Sequence, residues 1–194
     1  MTFSQLEATM PASPLTHQKG MVIWLMGLSG AGKSTIAKLL KNEMTDNGIY
    51  SVILDGDALR ETICSDLGFS PNDRLENVRR VAGIAELLAQ NNVVAICSLI
   101  TPLHEHQQKV RDTVKTPYFE VFVDCPVSVC ESRDVKGLYL LARENIVKNF
   151  TGISAPFHTP INPDLILKTS EQNARESMLL LYKQVIDAIS ASGL

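Results

Sequence analysis

The stretch MVIWLMGLSGAGKST, from Met21 to Thr35, decides the fold, because an apolar run enters a glycine-rich turn and leaves it as a helix. Its second part, Gly27 to Thr35, satisfies the P-loop pattern G-x-x-x-x-G-K-[ST]. Glycines let successive backbone N–H groups point inward at phosphate oxygens, and the N-terminus of the following helix adds partial positive charge. The stretch therefore predicts a binding site for the phosphates of ATP.

Two side chains of this stretch are expected to act directly on ATP. Lys33 can reach the β- and γ-phosphates, and the Ser34 hydroxyl can ligate Mg²⁺. The predicted nucleotide-binding residues of the stretch are Gly27, Ser29, Gly30, Ala31, Gly32, Lys33, Ser34 and Thr35. The alternative, a glycine-rich turn that binds nothing, is disfavoured because the full pattern lies between a predicted strand and a predicted helix.

Apolar runs and segments of helical period alternate along the rest of the chain. Five apolar runs are predicted to be buried strands, at residues 21–28, 50–55, 93–100, 119–124 and 165–168. Helices are predicted after the P-loop, near 76–90, 104–115 and 127–133, and from about residue 170. Because strands alternate with helices, we predict an α/β fold of three layers, with a five-stranded parallel sheet between two layers of helices.

Length and composition indicate one folded domain. The chain has 194 residues, of which 45% are hydrophobic and 20% are charged, as in globular proteins. Residues 1–20 lack periodicity and are predicted to be a flexible extension, so the domain is predicted to span residues 21–194. The net charge of −3 argues against a general affinity for nucleic acid.

The cysteines and the apolar runs bear on the compartment. Four cysteines occur without a C-x-x-C pair, which favours free thiols in a reducing compartment. No apolar run approaches the length that spans a bilayer, and residues 1–20 lack the pattern of a secretory signal. The expected location is therefore the cytoplasm, with no membrane partner.

Polar residues follow the second predicted strand, at the edge where parallel sheets bind ligands. There Asp57 could orient an acceptor hydroxyl, accept its proton or hold a metal-bound water. The alternative is a local role for Asp57 as the cap of a turn or helix. No N-K-x-D sequence accompanies the P-loop, so a switch GTPase is not favoured.

Several further motifs occur in the order and spacing of one family. They are Asp55-Gly-Asp-Ala-Leu-Arg60, Leu67-Gly-Phe-Ser70, Asp73-Arg-Leu-Glu-Asn-Val-Arg-Arg80, Val123-Asp-Cys-Pro126, Arg133-Asp-Val-Lys-Gly-Leu-Tyr139 and Phe150-Thr-Gly-Ile153. From about residue 21 to residue 169 the chain resembles the adenylylsulfate kinases, which use ATP to phosphorylate the 3′-hydroxyl of adenosine 5′-phosphosulfate (APS) and give PAPS. The resemblance implies a nucleoside-monophosphate-kinase-like fold, Mg²⁺ dependence and commonly a homodimer.

The resemblance also implies roles for individual residues. Lys33 and Asp57 are the predicted catalytic residues, with Asp57 on the acceptor side. Arg133 is implied to stack against the ATP adenine, and Phe69 and Phe150 to sandwich the APS adenine. The implied APS-binding residues are Asp57, Arg60, Phe69, Arg74, Asn77, Ile100, Thr101, Lys136 and Phe150. Residues 133–155, which include Arg133, Lys136, Arg143 and Lys148, are predicted to form a mobile cationic lid, with an exposed amphipathic helix as the alternative.

One segment departs from the family pattern. Members usually carry a Ser-Pro-Tyr-like segment and a basic residue after the third strand, whereas this chain has Thr101-Pro-Leu-His104. The departure bears on how the sulfate end of APS is held, and no covalent role is assigned to Thr101. His104 and His106 are predicted to be surface histidines rather than metal ligands. The alternatives to an APS kinase are a kinase for another small nucleotide-linked acceptor and a non-catalytic nucleotide-binding module.

Overall fold

A five-stranded parallel sheet forms the centre of the protein. The computed structural model describes residues 18–191, with side chains described through residue 189. The strands are β1 (Met21–Met26), β2 (Ser51–Asp55), β3 (Val94–Ser98), β4 (Tyr118–Asp124) and β5 (Leu165–Lys168), in the spatial order β2-β3-β1-β4-β5. Each neighbouring pair is parallel, so the carboxyl ends of all five strands lie at one edge of the sheet.

Helices cover both faces of this sheet. Within the described residues they are α1 (Lys33–Asp46), α2 (Gly56–Arg60), α3 (Pro71–Gln90), α4 (His104–Thr113), α5 (Val127–Arg133), α6 (Leu138–Arg143) and α7 (Ala174–Ala191). One apolar cluster joins Ile23 and Leu25 of β1 to α1 and α7, and another joins Val22, Trp24 and Met26 to α3 and α4. Because successive side chains of a strand point to opposite faces, β1 is buried from both sides and forms an unbroken apolar run.

The predicted α/β fold with five parallel strands is confirmed. β5 has its predicted bounds, whereas β1 and β3 end at residues 26 and 98 rather than at 28 and 100. Hydrogen bonding continues beyond these ends: Leu99 N donates to Leu25 O at 3.1 Å, and Gly27 N donates to Ile100 O at 3.3 Å. The loops that follow β1 and β3 therefore leave the sheet side by side.

Helix boundaries differ from the predicted ones where a cap sets them. α3 begins at Pro71 rather than at residue 76, because Ser70 and Asp73 form a reciprocal capping box. α7 begins at Ala174 rather than near residue 170, since the Asn173 side chain accepts hydrogen bonds from two N–H groups of the first turn. α2 and α6 were not predicted, because their five and six residues are too few to show a helical period.

The described chain begins against the sheet. Residues 1–17 and 192–194 lie outside the described residues, and with them most of the predicted extension 1–20. The Gln18 side chain donates to the carbonyl oxygens of Tyr50 and Asn92, both at 2.8 Å, and accepts from the Tyr50 N–H at 2.7 Å. Residues 18–20 thus pack on the domain. Among the described residues, no helix is long and apolar enough to cross a membrane.

Candidate active site

A cavity of about 660 Å³ opens at the carboxyl ends of the strands. Ligands of parallel α/β sheets bind at this edge. Of the predicted site residues, all except Gly27 line the cavity. The fold thus brings the predicted nucleotide-binding residues and the predicted acceptor-binding residues to one space.

Glycines give the P-loop its shape. Gly30 and Gly32 have φ values of 74° and 101°, in the left-handed region that favours glycine. At Gly27 a side chain is excluded by space as well, because a Cβ atom there would lie 2.4 Å from the carbonyl oxygen of Val123. The absence of a side chain at Gly27 therefore lets the loop lie against β4. Gly27 faces this strand, which explains why it does not line the cavity.

Lys33 is folded back against the loop, with 8% of its surface exposed. Its Nζ donates to the carbonyl oxygens of Gly27 and Leu28 at 2.9 and 2.8 Å. Burial lowers the pKa of Lys33 from 10.5 to about 8, although the negative charges of Asp57 and Asp55 oppose part of this change. An anion bound in the loop would favour the protonated form of this side chain.

Ser34 meets two other oxygen-bearing side chains at the ends of β2 and β3. Its hydroxyl donates to Asp55 Oδ2 at 2.6 Å and lies 3.2 Å from Ser98 Oγ. Asp55 and Ser98 are register partners in the sheet, which fixes the arrangement. Carboxylate and hydroxyl oxygens suit Mg²⁺, so this group fits the metal predicted at Ser34. Asp55 and Ser98 were not among the predicted site residues, although a carboxylate at the end of a strand in a P-loop protein is a usable signal.

Asp57 lies in the first turn of α2, and its side chain is 68% exposed. The Asp55 carboxylate caps this helix by accepting the Asp57 N–H at 3.1 Å. Asp55 therefore has the capping role that was the alternative for Asp57. Lys136, which follows α5 in the predicted lid, forms an ion pair with Asp57. The predicted acceptor-side acid and a cation of the predicted lid thus meet on the cavity wall.

Two arginines flank Phe69, which is 58% exposed. The Cζ atoms of Arg60 and Arg74 lie 4.4 and 5.6 Å from the centroid of its ring. Backbone carbonyls hold both guanidinium groups: Arg60 donates to Gly68 O and Arg74 to Asn149 O, each at 2.8 Å. Burial lowers the pKa of both arginines, but guanidinium groups stay charged at neutral pH. Two cations beside an open aromatic face suit an anionic nucleotide.

Asn77 and Phe150 are more deeply buried members of the same wall. Asn77 is 5% exposed, and its Oδ1 has no hydrogen-bond partner among the described residues. A buried amide oxygen without a partner is costly, so a ligand N–H or O–H group would stabilise it. Phe150 packs edge-on against Tyr139, with the ring centroids 4.9 Å apart, and still lines the cavity. Phe69 and Phe150 border one cavity, and the purine sandwich between them stays a prediction.

Arg133 ends α5 beside the P-loop. Its guanidinium group donates to Gly30 O at 3.2 Å and to Thr169 O at 2.6 Å. The Thr169 hydroxyl donates in turn to Ala31 O at 2.8 Å. Thr169 was not among the predicted site residues, although it directly follows β5 and so lies at the edge where ligands are expected.

Ile100 and Thr101 line the cavity just after β3. Thr101 is 2% exposed and has a φ of 47°, which is unusual for a β-branched residue. The Trp24 indole N–H donates to Thr101 Oγ1 at 2.9 Å. Gln107 Nε2 lies 3.4 Å from Thr101 O and donates to His158 O at 2.8 Å. The segment that departs from the family pattern is therefore held by its neighbours.

Two arginines near the motifs have structural partners outside the cavity. Arg80, for which no role was predicted, pairs with Asp66 at 2.6 Å and with Glu76 at 2.9 Å. Arg143 of the predicted lid pairs with Glu131 at 2.8 Å and does not line the cavity. These ion pairs hold α3 and the helices of the lid region in place, and neither arginine faces the cavity where a ligand would bind.

The two predicted surface histidines differ in burial. His104 is exposed, as predicted, but the prediction is wrong for His106, which is 1% exposed on the inner face of α4. Burial lowers the pKa of His106, which favours the neutral ring. Within residues 18–191 there is no cluster of three or more histidine, cysteine, aspartate or glutamate residues that could hold a metal ion.

The sequence and the fold are similar to those of known kinases. The family model for adenylylsulphate kinase matches residues 19–168. The adenylyl-sulfate kinase of Halothermothrix orenii is 45% identical over 163 residues, which cover 84% of this chain and 88% of that protein. The Mycobacterium tuberculosis APS kinase CysC in complex with AMPPNP and APS has a TM-score of 0.82 and 40% identity, covering 89% of this chain and 99% of that chain. The hexameric APS kinase from Thiobacillus denitrificans has a TM-score of 0.66 and 25% identity, covering 95% of this chain and 31% of that chain.

Proposed function

This chain belongs to the adenylylsulphate kinase family, and we propose that it transfers the γ-phosphoryl group of ATP to the 3′-hydroxyl of APS, giving PAPS and ADP. The observation that carries the proposal is a single cavity lined both by the P-loop and by Arg60, Phe69, Arg74 and Asn77. Transfer between two nucleotides requires both to be bound within reach of each other. A similar kinase has been solved with AMPPNP and APS bound together.

On the donor side, the P-loop N–H groups bind the β-phosphate of ATP. Lys33 leaves the carbonyl oxygens of Gly27 and Leu28 and contacts the β- and γ-phosphates, where its charge offsets the charge that develops during transfer. Ser34, supported by Asp55, would hold Mg²⁺, which neutralises phosphate charge when it is bound. Arg133 is proposed to stack on the adenine of ATP.

On the acceptor side, Asp57 orients the 3′-hydroxyl and accepts its proton. The freed oxygen forms a bond to the γ-phosphorus while the bond from that phosphorus to the β–γ bridging oxygen breaks, and ADP leaves with that electron pair. Asp57 and Lys136 form an ion pair in this structure, so Lys136 must exchange the carboxylate for ligand oxygens before transfer. Binding of the acceptor to Lys136 thereby frees the Asp57 carboxylate to act as the general base.

The remaining cavity residues are proposed to select APS among nucleotides. Arg60 and Arg74 supply charge for the phosphosulfate oxygens, and Phe69 and Phe150 supply apolar surface for its adenine. The unpaired Oδ1 of Asn77 would accept a hydrogen bond from an N–H or O–H group of the acceptor. Ile100 and Thr101 line the same cavity.

An acceptor panel tests this function. ADP release is measured with APS, AMP, CMP and further nucleotide acceptors, and APS should give the highest kcat/KM. Turnover with CMP but not with APS would indicate a kinase for another nucleotide-linked acceptor, and ATP binding without transfer to any acceptor would indicate a non-catalytic binding module. Lys33→Ala should nearly abolish transfer, whereas Arg79→Ala, on the exposed side of α3, should leave it unchanged.

We further propose a homodimer in the cytoplasm. The family resemblance supports the dimer, and the four buried cysteines, none of which forms a disulfide, support a reducing compartment. A similar kinase is hexameric, so the oligomeric state needs its own measurement. Light scattering of the purified protein should give the mass of two chains, and any other mass would refute the dimer.

A further inference from the structure

Trp24 is a fully buried residue in the central strand that leads into the P-loop. A buried indole N–H usually finds an acceptor, and here the acceptor is the hydroxyl oxygen of Thr101, at 2.9 Å. Thr101 lines the cavity and Trp24 does not. β1 therefore carries the phosphate-binding loop at its end and also a side chain that reaches the loop after β3.

Thr101 needs such a contact because of its backbone conformation. Its φ of 47° crowds the β-branched side chain, and a residue keeps this conformation when its surroundings fix it. Trp24 fixes the side chain of Thr101, and Gln107 lies within reach of its carbonyl oxygen. The next residue is held as well, since His158 N donates to Pro102 O at 2.7 Å.

We propose that Trp24 is a positioning residue for the acceptor, which it holds through Thr101 at a fixed place relative to the P-loop. The inference rests on the proposed function, since the acceptor in question is APS. The hydrogen bond from Gly27 N to Ile100 O joins the P-loop to the loop after β3 through their backbones, and the Trp24 indole joins β1 to that second loop through side chains. Thr101 lines the cavity together with the proposed APS-binding residues, so loss of the indole tie should weaken the binding of APS and leave the binding of ATP unchanged.

Trp24→Phe tests the inference, because it removes the N–H group and keeps an aromatic ring. We expect the KM for APS to rise about tenfold, which corresponds to the loss of the one hydrogen bond that holds the Thr101 side chain. The Kd of a non-hydrolysable ATP analogue should change by less than about twofold, since the P-loop keeps its own contacts. An unchanged KM for APS, or an equal loss of affinity for both nucleotides, would overturn the inference.

Tyr118→Phe is the matched control. Tyr118 lies in β4, pairs in register with Val22 of β1, and donates from its hydroxyl to Glu120 at 3.0 Å. It does not line the cavity. The substitution also removes one hydrogen bond from a partly buried aromatic side chain of the sheet, so it should lower the melting temperature and leave the KM for APS unchanged. An equal rise of that KM in both variants would reduce the role of Trp24 to general packing and overturn the inference.

A double-mutant cycle shows whether Trp24 acts through Thr101. Thr101→Val is nearly isosteric and removes the acceptor oxygen, so it should also raise the KM for APS. In the Thr101→Val background, Trp24→Phe should change this KM by less than about twofold, because the contact is already lost. Independent, multiplying effects would overturn the inference. If Trp24→Phe does not fold, Trp24→Leu, which also lacks the N–H group, replaces it in both backgrounds, and an unchanged KM for APS in that variant would overturn the inference.

Turnover of the wild-type protein with APS shows whether a negative result concerns the proposed function or only the role of Trp24. Absence of turnover with APS in the wild type would refute the proposed function and this inference with it. Turnover with APS in the wild type, together with an unchanged KM in Trp24→Phe, would refute the inference alone.

Discussion

Binding of a nucleoside triphosphate should transfer a proton from solvent to Lys33. The side chain is buried against the carbonyl oxygens of Gly27 and Leu28, and burial lowers its pKa to about 8. About half of the protein molecules therefore carry a neutral Lys33 at pH 8, about nine tenths at pH 9 and about one tenth at pH 7. A triphosphate in the P-loop would place several negative charges next to this group.

The size of the effect follows from the charges. One negative charge at about 4 Å, with an effective dielectric constant of about 20, stabilises the ammonium group by about 4 kcal/mol. This corresponds to a rise of about 3 units in the pKa of Lys33, so the bound form is protonated throughout pH 7 to 9. Binding should then take up about 0.1, 0.5 and 0.9 protons at pH 7, 8 and 9, respectively.

Calorimetry measures this uptake directly. A non-hydrolysable ATP analogue is titrated with Mg²⁺ in buffers of different ionisation enthalpy, and the slope of the observed enthalpy against the buffer enthalpy gives the number of protons. Lys33→Arg is the control, because a guanidinium group stays charged with and without ligand. Its uptake should be near zero at every pH.

Two results would refute the reasoning about Lys33. One is an uptake below about 0.1 protons at both pH 8 and pH 9 in the wild type, which would mean that burial does not lower the pKa. The other is the same uptake in Lys33→Arg as in the wild type, which would assign the proton to another group. If Lys33→Arg does not bind the analogue, the rise of uptake with pH in the wild type decides the question.

Two further predictions concern Asp57 and Gly27. Asp57→Asn should lower kcat by about 100-fold or more and change the KM for ATP by less than about threefold, because the amide cannot accept the proton; near-normal turnover in the ADP-release assay would contradict the assigned role. Gly27→Ala should lower the free energy of unfolding by more than about 1 kcal/mol in urea titrations, since its Cβ would lie 2.4 Å from Val123 O. Its control is Gly83→Ala, an exposed helical position with nothing within 4 Å of the new Cβ, which should raise stability by about 0.5 to 1 kcal/mol; equal effects of the two substitutions would contradict the steric argument.

The central strands of the sheet were predictable because they are buried on both faces. Every residue of β1 and β3 is buried, and Ser98 at the end of β3 is the one polar residue in these two strands, so each strand appears in the sequence as an apolar run. α4 shows the opposite case. Its inner face carries the polar residues His106 and Gln107 together with Val110, so hydrophobic periodicity could not tell which histidine is buried.

The candidate site was predictable where a motif fixes it, and less so where it depends on contacts between distant segments. The P-loop pattern contains the chemistry of Lys33 and Ser34 in consecutive residues. The Ser34 contacts to Asp55 and Ser98 depend on sheet order and register, which spacing along the chain does not reveal. The same holds for the ion pair of Asp57 with Lys136, whose partners are 79 residues apart.

The resting contacts of Lys33 limit how mutation can tune nucleotide affinity. The two groups that hold the ammonium in place are main-chain oxygens of Gly27 and Leu28, which no codon change can remove. Every variant that keeps the loop conformation therefore keeps both hydrogen-bond acceptors for this side chain, whereas the nearby charges of Asp57 and Asp55 can be changed by substitution. Natural or engineered differences in ATP affinity should then arise from residues elsewhere around the nucleotide.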